Sequence, residues 1–118
     1  MGYRSDVVIA LHIEIIAEDL IKPIIPKALK KLGYTLYGNA AYYFIDSWKW
    51  YSDFPDIAEI EAFFRILDER MPTLVGKETL PWFGALRMGE NDDDIETWGS
   101  PHDFDIYINR SITCPVCG

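Results

Sequence analysis

The chain lacks any apolar run approaching the roughly 18 residues that a membrane-spanning helix requires. Its start, Met1-Gly2-Tyr3-Arg4-Ser5-Asp6, has neither the basic head nor the apolar stretch of a secretory signal. A cytoplasmic, non-membrane protein is therefore expected. Cysteine and histidine number two each, too few for a disulfide scaffold or for a four-ligand zinc site built from a single motif. Glycine-rich phosphate loops, nucleophile elbows and histidine-centred catalytic motifs are absent from the sequence, so no catalytic residue is assigned. Internal repeats, low-complexity stretches and linkers are missing as well.

What is present suits one globular domain. Of 118 residues, 49% are hydrophobic and 25% charged, and four Trp, seven Tyr and six Phe provide material for a core. The formal net charge is −8, and its distribution is uneven. Between Gly89 and Asp105 lie Glu90, Asp92, Asp93, Asp94, Glu96, Asp103 and Asp105 with no Lys or Arg. Concentrated negative charge excludes direct nucleic-acid binding, which needs a basic surface. The one basic cluster, Lys27, Lys30 and Lys31, sits near a helix end, where the macrodipole favours cations.

Val7–Leu11 is a short β-rich apolar run and reads as a strand buried on both faces. From Ile13 to Leu32 the apolar residues take helical spacing, but Pro23 and Pro26 interrupt it, predicting a kinked helix or two short ones. Tyr42–Ile45 is strand-like, and Trp48–Tyr51 continues it or returns as a hairpin. A second helix opens at Pro55 with Ile57, Ile60, Phe63, Phe64, Leu67 and Met71 inward, ends at Pro72, and gives way to a loop up to Pro81. Trp82–Leu86 is a third strand. Asp103–Asn109 alternates, with Phe104, Ile106 and Ile108 on one side, and predicts a fourth, half-buried strand. The order indicates an α+β fold: a single two-layer sandwich of about four mixed or antiparallel strands with two helices on one face, residues 1–112, followed by a tail at 113–118.

Several strings resemble small uncharacterised phage and prophage proteins. These are Gly2-Tyr3-Arg4-Ser5-Asp6-Val7; Trp48-Lys49-Trp50-Tyr51 followed by Pro55-Asp56; Arg87-Met88-Gly89-Glu90 leading into Asp93-Asp94-Ile95-Glu96; and Arg110-Ser111-Ile112. The resemblance implies a phage origin and a host bacterial cytoplasm as workplace, and it carries no activity.

Two constellations remain. In the acidic segment, no glycine falls at the sixth position of a loop counted from Asn91 or Asp92, which removes an EF-hand. Glu90, Asp92, Asp93, Asp94 and Glu96, with an exposed Trp98 as anchor, form a candidate docking face for a basic protein surface. The plainer reading is a solvated loop whose acids pair with Arg87, Arg110 or Arg4. On the docking reading, amides at Asp92, Asp93, Asp94 and Glu96 would leave folding nearly intact. The second constellation, Cys114-Pro115-Val116-Cys117-Gly118, resembles the knuckle of rubredoxins and zinc ribbons. Any metal is expected on Cys114 and Cys117, with His102 as a spare ligand or a second chain completing a zinc-linked homodimer. A reduced, frayed tail without cofactor is the plainer alternative. Function thus reads as non-enzymatic binding of a host or phage protein, interfering with a defence or nucleic-acid enzyme. The alternative is a small enzyme or ligand-binding domain with a pocket on the open face of the sheet.

Overall fold

The computed structural model describes residues 4–16, 22–51, 53–75, 82–90, 93–109 and 111–116. Five antiparallel strands form the main sheet in the order β2-β3-β1-β4-β5: β1 (Ser5–His12), β2 (Thr35–Tyr37), β3 (Ala40–Trp48), β4 (Phe83–Met88) and β5 (Ile95–Gly99). The α+β class holds, and the sheet is open rather than closed into a barrel.

The apolar run of β1 takes the centre, between β3 and β4. Alternation sends Val7, Ile9 and Leu11 to one face and Val8 and Ala10 to the other, and all five are buried. The first face is covered by α2 (Lys27–Leu32) through Ala28 and Leu29, and by α3 (Pro55–Val75) through Ile57, Ile60, Phe63, Phe64 and Leu67. Two helices on one face is the arrangement expected from the sequence. The opposite face is also covered. A 3-10 turn at Pro101–Phe104, then a small sheet of β6 (Tyr107–Asn109) and β7 (Ser111–Thr113), lay Phe104, Ile106 and the Cys114 side chain over Val8, Ala10, Tyr42 and Leu86. Both faces of β1 are thus packed against other elements, and the cover reaches into the segment expected to be a tail.

Several local expectations change. The first helical stretch is broken as the prolines require: α1 (Ile13–Ile16), a 3-10 turn at Lys22–Ile24, then α2 starting after Pro26. Helix α3 continues past Pro72 to Val75; a proline in a last turn keeps helical φ and forfeits one backbone bond, so the helix need not stop there. Part of the expected loop is thus helix, and residues 76–81 lie outside the described residues. Strand β3 runs on through Trp48 instead of turning back. Asp103–Asn109 is not one strand of the main sheet. Asp105 adopts φ +57°, closes the 3-10 turn and sends the chain into β6. The inward set Phe104 and Ile106 is right; the backbone that delivers it is irregular. Gly84 makes this possible, because a Cβ there would stand 2.6 Å from the backbone of Pro101. The turn packs directly on β4.

Candidate functional site

Strand register gathers residues that are distant in sequence at one end of the sheet. Asp6 of β1 faces Met88 of β4, Met88 faces Ile95 of β5, and Ser5 faces Trp48 of β3 across a bulge. Arg4, Asp6, Asp46, Ser47, Arg87, Glu90, Asp93 and Asp94 therefore share that end.

Arg87 is its fixed point. The side chain is 8% exposed and donates through Nε to Glu96 Oε1 at 2.8 Å, through Nη2 to Asp94 Oδ1 at 2.6 Å, and through Nη1 to Asp94 Oδ2 at 3.2 Å and Ser5 Oγ at 2.8 Å. Burial pulls the guanidinium's pKa down, but the hydrogen bonds and charges of Asp94 and Glu96 outweigh it and hold the value above the ordinary one. Such a two-pronged fork suits arginine geometry and fixes the register of β4 on β5. A second set of bonds ties β1 to its neighbours. The Arg4 amide donates to Glu90 Oε1 at 3.0 Å, and Arg4 Nη1 donates to the Ser47 carbonyl at 2.7 Å. The Ser47 amide donates to Asp6 Oδ1 at 2.8 Å. Ser47 stands at φ +57°, a conformation costly for a non-glycine residue, and it is held there from both sides.

The expected docking residues thus divide. Glu90 and Asp93 are exposed at the turn, Asp94 and Glu96 are engaged by Arg87, and Asp92 lies outside the described residues. The pairing of acids with Arg87, part of one of the two readings of the sequence, is present; Arg4 meets Glu90 through its backbone amide while its guanidinium donates to the Ser47 carbonyl, and Arg110 lies outside the described residues. Trp98 is not an exposed anchor. It shares the helix-side face with Glu96, two residues away in β5, and packs on Phe64 (ring centroids 4.8 Å apart) and Trp50 (6.2 Å). Asp6 and Asp46 join the acidic end without any sequence signal. They are far from the acidic segment along the chain, and strand pairing alone brings them to it.

Asp103 and Asp105 leave the group. The five residues of β5 carry the chain roughly 16 Å along the sheet, so both aspartates reach the other end, beside His12, Tyr37, Asn39 and Tyr42 in a cavity of about 340 Å³. There the Tyr42 hydroxyl donates to the Phe104 carbonyl at 2.8 Å, and burial, then Asp105, then Tyr37 push its pKa up.

Cys114 is buried and disulfide-bonded; the chain's other cysteine, Cys117, lies outside the described residues. The oxidised sulfur is not a thiolate, so zinc binding at this pair requires prior reduction. His102 is exposed, with Nε2 3.8 Å from Asp103 Oδ1. Among the described residues, no group of three or more His, Cys, Asp or Glu could hold a metal, and no helix is long and apolar enough to cross a membrane.

No family model, curated protein or solved structure matches the chain. What the acidic end offers is electrostatic: fixed carboxylates on a rigid sheet end, able to meet a cationic surface.

Proposed function

We propose that the protein is a small, non-enzymatic binding module of phage type that docks a basic surface of a host or phage protein through the acidic end of its sheet. The observation that carries this reading is the gathering of Asp6, Asp46, Glu90, Asp93, Asp94 and Glu96 at one end, against Arg4, Arg87 and the neighbouring Lys49. Arg87 is buried and its charge is spent on Asp94 and Glu96, so the outward field is negative. A field of that sign imitates the charge of a nucleic-acid backbone, and interference with a defence or nucleic-acid enzyme is its natural use.

The test must spare the acids that hold Arg87. Asp46→Asn with Asp93→Asn removes two exposed charges, and folding should stay intact because exposed groups contribute little. Proteins retained from bacterial lysate on the immobilised chain should be lost from the double variant, and released from the wild type by high salt. Retention of the same proteins by the variant, or retention that salt does not weaken, overturns the reading.

A further inference from the structure

Phe54 breaks a local rule. Its carbonyl accepts the first intrahelical bond of α3, from the Ala58 amide at 2.9 Å, and Pro55 follows as the first helical residue. Phe54 is therefore the N-cap, where serine, threonine, aspartate or asparagine would satisfy a free amide with a side-chain oxygen. A phenylalanine forgoes that bond, and this one does not enter the core either. It stays 42% exposed, edge-on to Tyr51 with ring centroids 5.2 Å apart, and Tyr51 is itself 37% exposed. Backbone bonds hold the pair in place: the Tyr51 amide donates to the Lys49 carbonyl at 3.1 Å, and the Phe54 amide to the Tyr51 carbonyl at 2.9 Å. Beside them lies a groove of about 470 Å³, lined by Trp48, Lys49, Phe54, Pro55, Asp56 and Ile57. A departure from local preference without a gain in packing is expected at functional positions.

We propose that this groove seats a large apolar side chain of the basic protein surface that docks on the acidic end, so that the partner presents an apolar anchor flanked by lysine or arginine. The inference rests on the docking reading above and adds what charge alone does not supply. Interfaces concentrate their energy in apolar side chains sunk in a pocket and ringed by polar contacts. The groove belongs to the same end of the sheet as the acids. Trp48 stands opposite Ser5 across the bulge, and two residues of chain, at most roughly 7 Å, separate it from Asp46. Trp98 packs inward on Phe64, so this end carries a socket in place of a projecting anchor.

Charge selects what flanks the anchor. Asp56 lines the groove, Asp53 adjoins Phe54, and Asp6, Asp46 and Glu90 stand around Ser47 and Arg4 next to Trp48. Against these five acids are two bases, Arg4 and Lys49. Asp46 lies within one screening length of the groove, about 8 Å at physiological salt, so its charge is felt there. A basic segment is attracted and an acidic one repelled. A second copy of the chain, itself at −8, brings the same surplus and is repelled too. Lys49, on the rim, opposes a basic partner, so neutralising it should tighten binding.

Three pentapeptides titrated into the full chain test the proposal, followed by amide NMR shifts. Two are flanked by pairs of lysines, with phenylalanine or serine at the centre, and the third places phenylalanine between glutamates. The lysine-flanked phenylalanine peptide should bind roughly tenfold more tightly than its serine counterpart, the lower end of what burying such a side chain supplies. It should shift the amides of Lys49 and Ile57 and weaken with added salt. Phe54→Ser, which supplies a cap, should keep the wild-type circular dichroism and bind both lysine-flanked peptides alike; Phe54→Ala gives the same readout should that variant misfold. Lys49→Gln should tighten both. Equal binding of the two lysine-flanked peptides by the wild type overturns the anchor while leaving the docking reading in place, and binding of neither overturns both. A tenfold preference that survives Phe54→Ser overturns the groove as its seat. Equal binding of the glutamate-flanked peptide, or a free chain that sediments as a dimer until Phe54 is replaced, overturns the choice of occupant.

Discussion

Arg87 sets limits on what its neighbours can become. Its guanidinium is nearly inaccessible, and Asp94 and Glu96 are the counter-charges that let it be buried. Removing one partner of a buried ion pair leaves an uncompensated charge, whereas replacing the whole group by apolar or neutral side chains is far milder. Asp94→Asn should therefore cost about 2 kcal/mol in urea denaturation, discounted for the partial exposure of Asp94. Adding Arg87→Met to it should recover part of that loss, so the two substitutions will be clearly non-additive. Additive costs would show that the fork is energetically idle. The sequence-based expectation that amides at Asp92, Asp93, Asp94 and Glu96 leave folding intact is corrected on these grounds. From the chain alone, Arg87 was one of three equivalent arginines beside an acidic run. Its burial depends on β1 supplying Ser5 and Val7 alongside, and no local pattern records that.

At the scale of elements, what could be read tracks how strongly burial is written into short-range pattern. β1 was legible because a strand buried on both faces must be continuously apolar, and the proline breaks before α2 were legible because they are covalent facts. β5 was not. Its exposed Ile95, Glu96 and Thr97 have no alternation, and its pairing with β4 is secured by the Arg87 fork. β2 was missed for the same reason: all three of its residues are exposed. Asp103–Asn109 lies between these cases, since its alternation named the inward residues but not the 3-10 turn that aims them. Ile106, 1% exposed beneath that turn, should cost about 3 kcal/mol when truncated to alanine. Tyr107→Ala, one residue on and 52% exposed, should stay within about 0.5 kcal/mol of wild type. Thermal or urea unfolding compares the two. Equal costs would mean that the second face is not a packed layer.

For the whole molecule, two packed layers on one sheet make alkaline pH a probe of integrity. Burial, with a smaller contribution from Tyr34, pushes the Tyr43 hydroxyl up to about 12 from its ordinary value of 10.0. Above pH 10 the unfolded chain releases this proton while the folded one retains it, so the folded state binds more protons and stability must fall as pH rises. The contribution is complete below pH 10 and is lost on approaching pH 12. Denaturation midpoints should decline across that window, and Tyr43→Phe should flatten the decline. A variant that declines as steeply as wild type would place the alkaline sensitivity elsewhere. The distribution of charge belongs to this scale too. The −8 of the sequence resolves into an acidic end and a separate pair of aspartates that the far end of β5 delivers beside Tyr37, a partition visible only once the strands are ordered.

The central position of β1 has a kinetic consequence. β1 is made before both of its partners, and Val8 lies between Phe44 and Leu86, so one of its flanks waits until β4 has been synthesised. Closing such distant pairs is slow compared with forming local helices and hairpins. On the ribosome the β2–β3 hairpin and α3 can assemble early, while the most apolar strand keeps one edge bare until β4 emerges. During that interval an emerging chain is at its most prone to pair with the wrong neighbour, and a chaperone that holds extended apolar segments would find its target in residues 7–11.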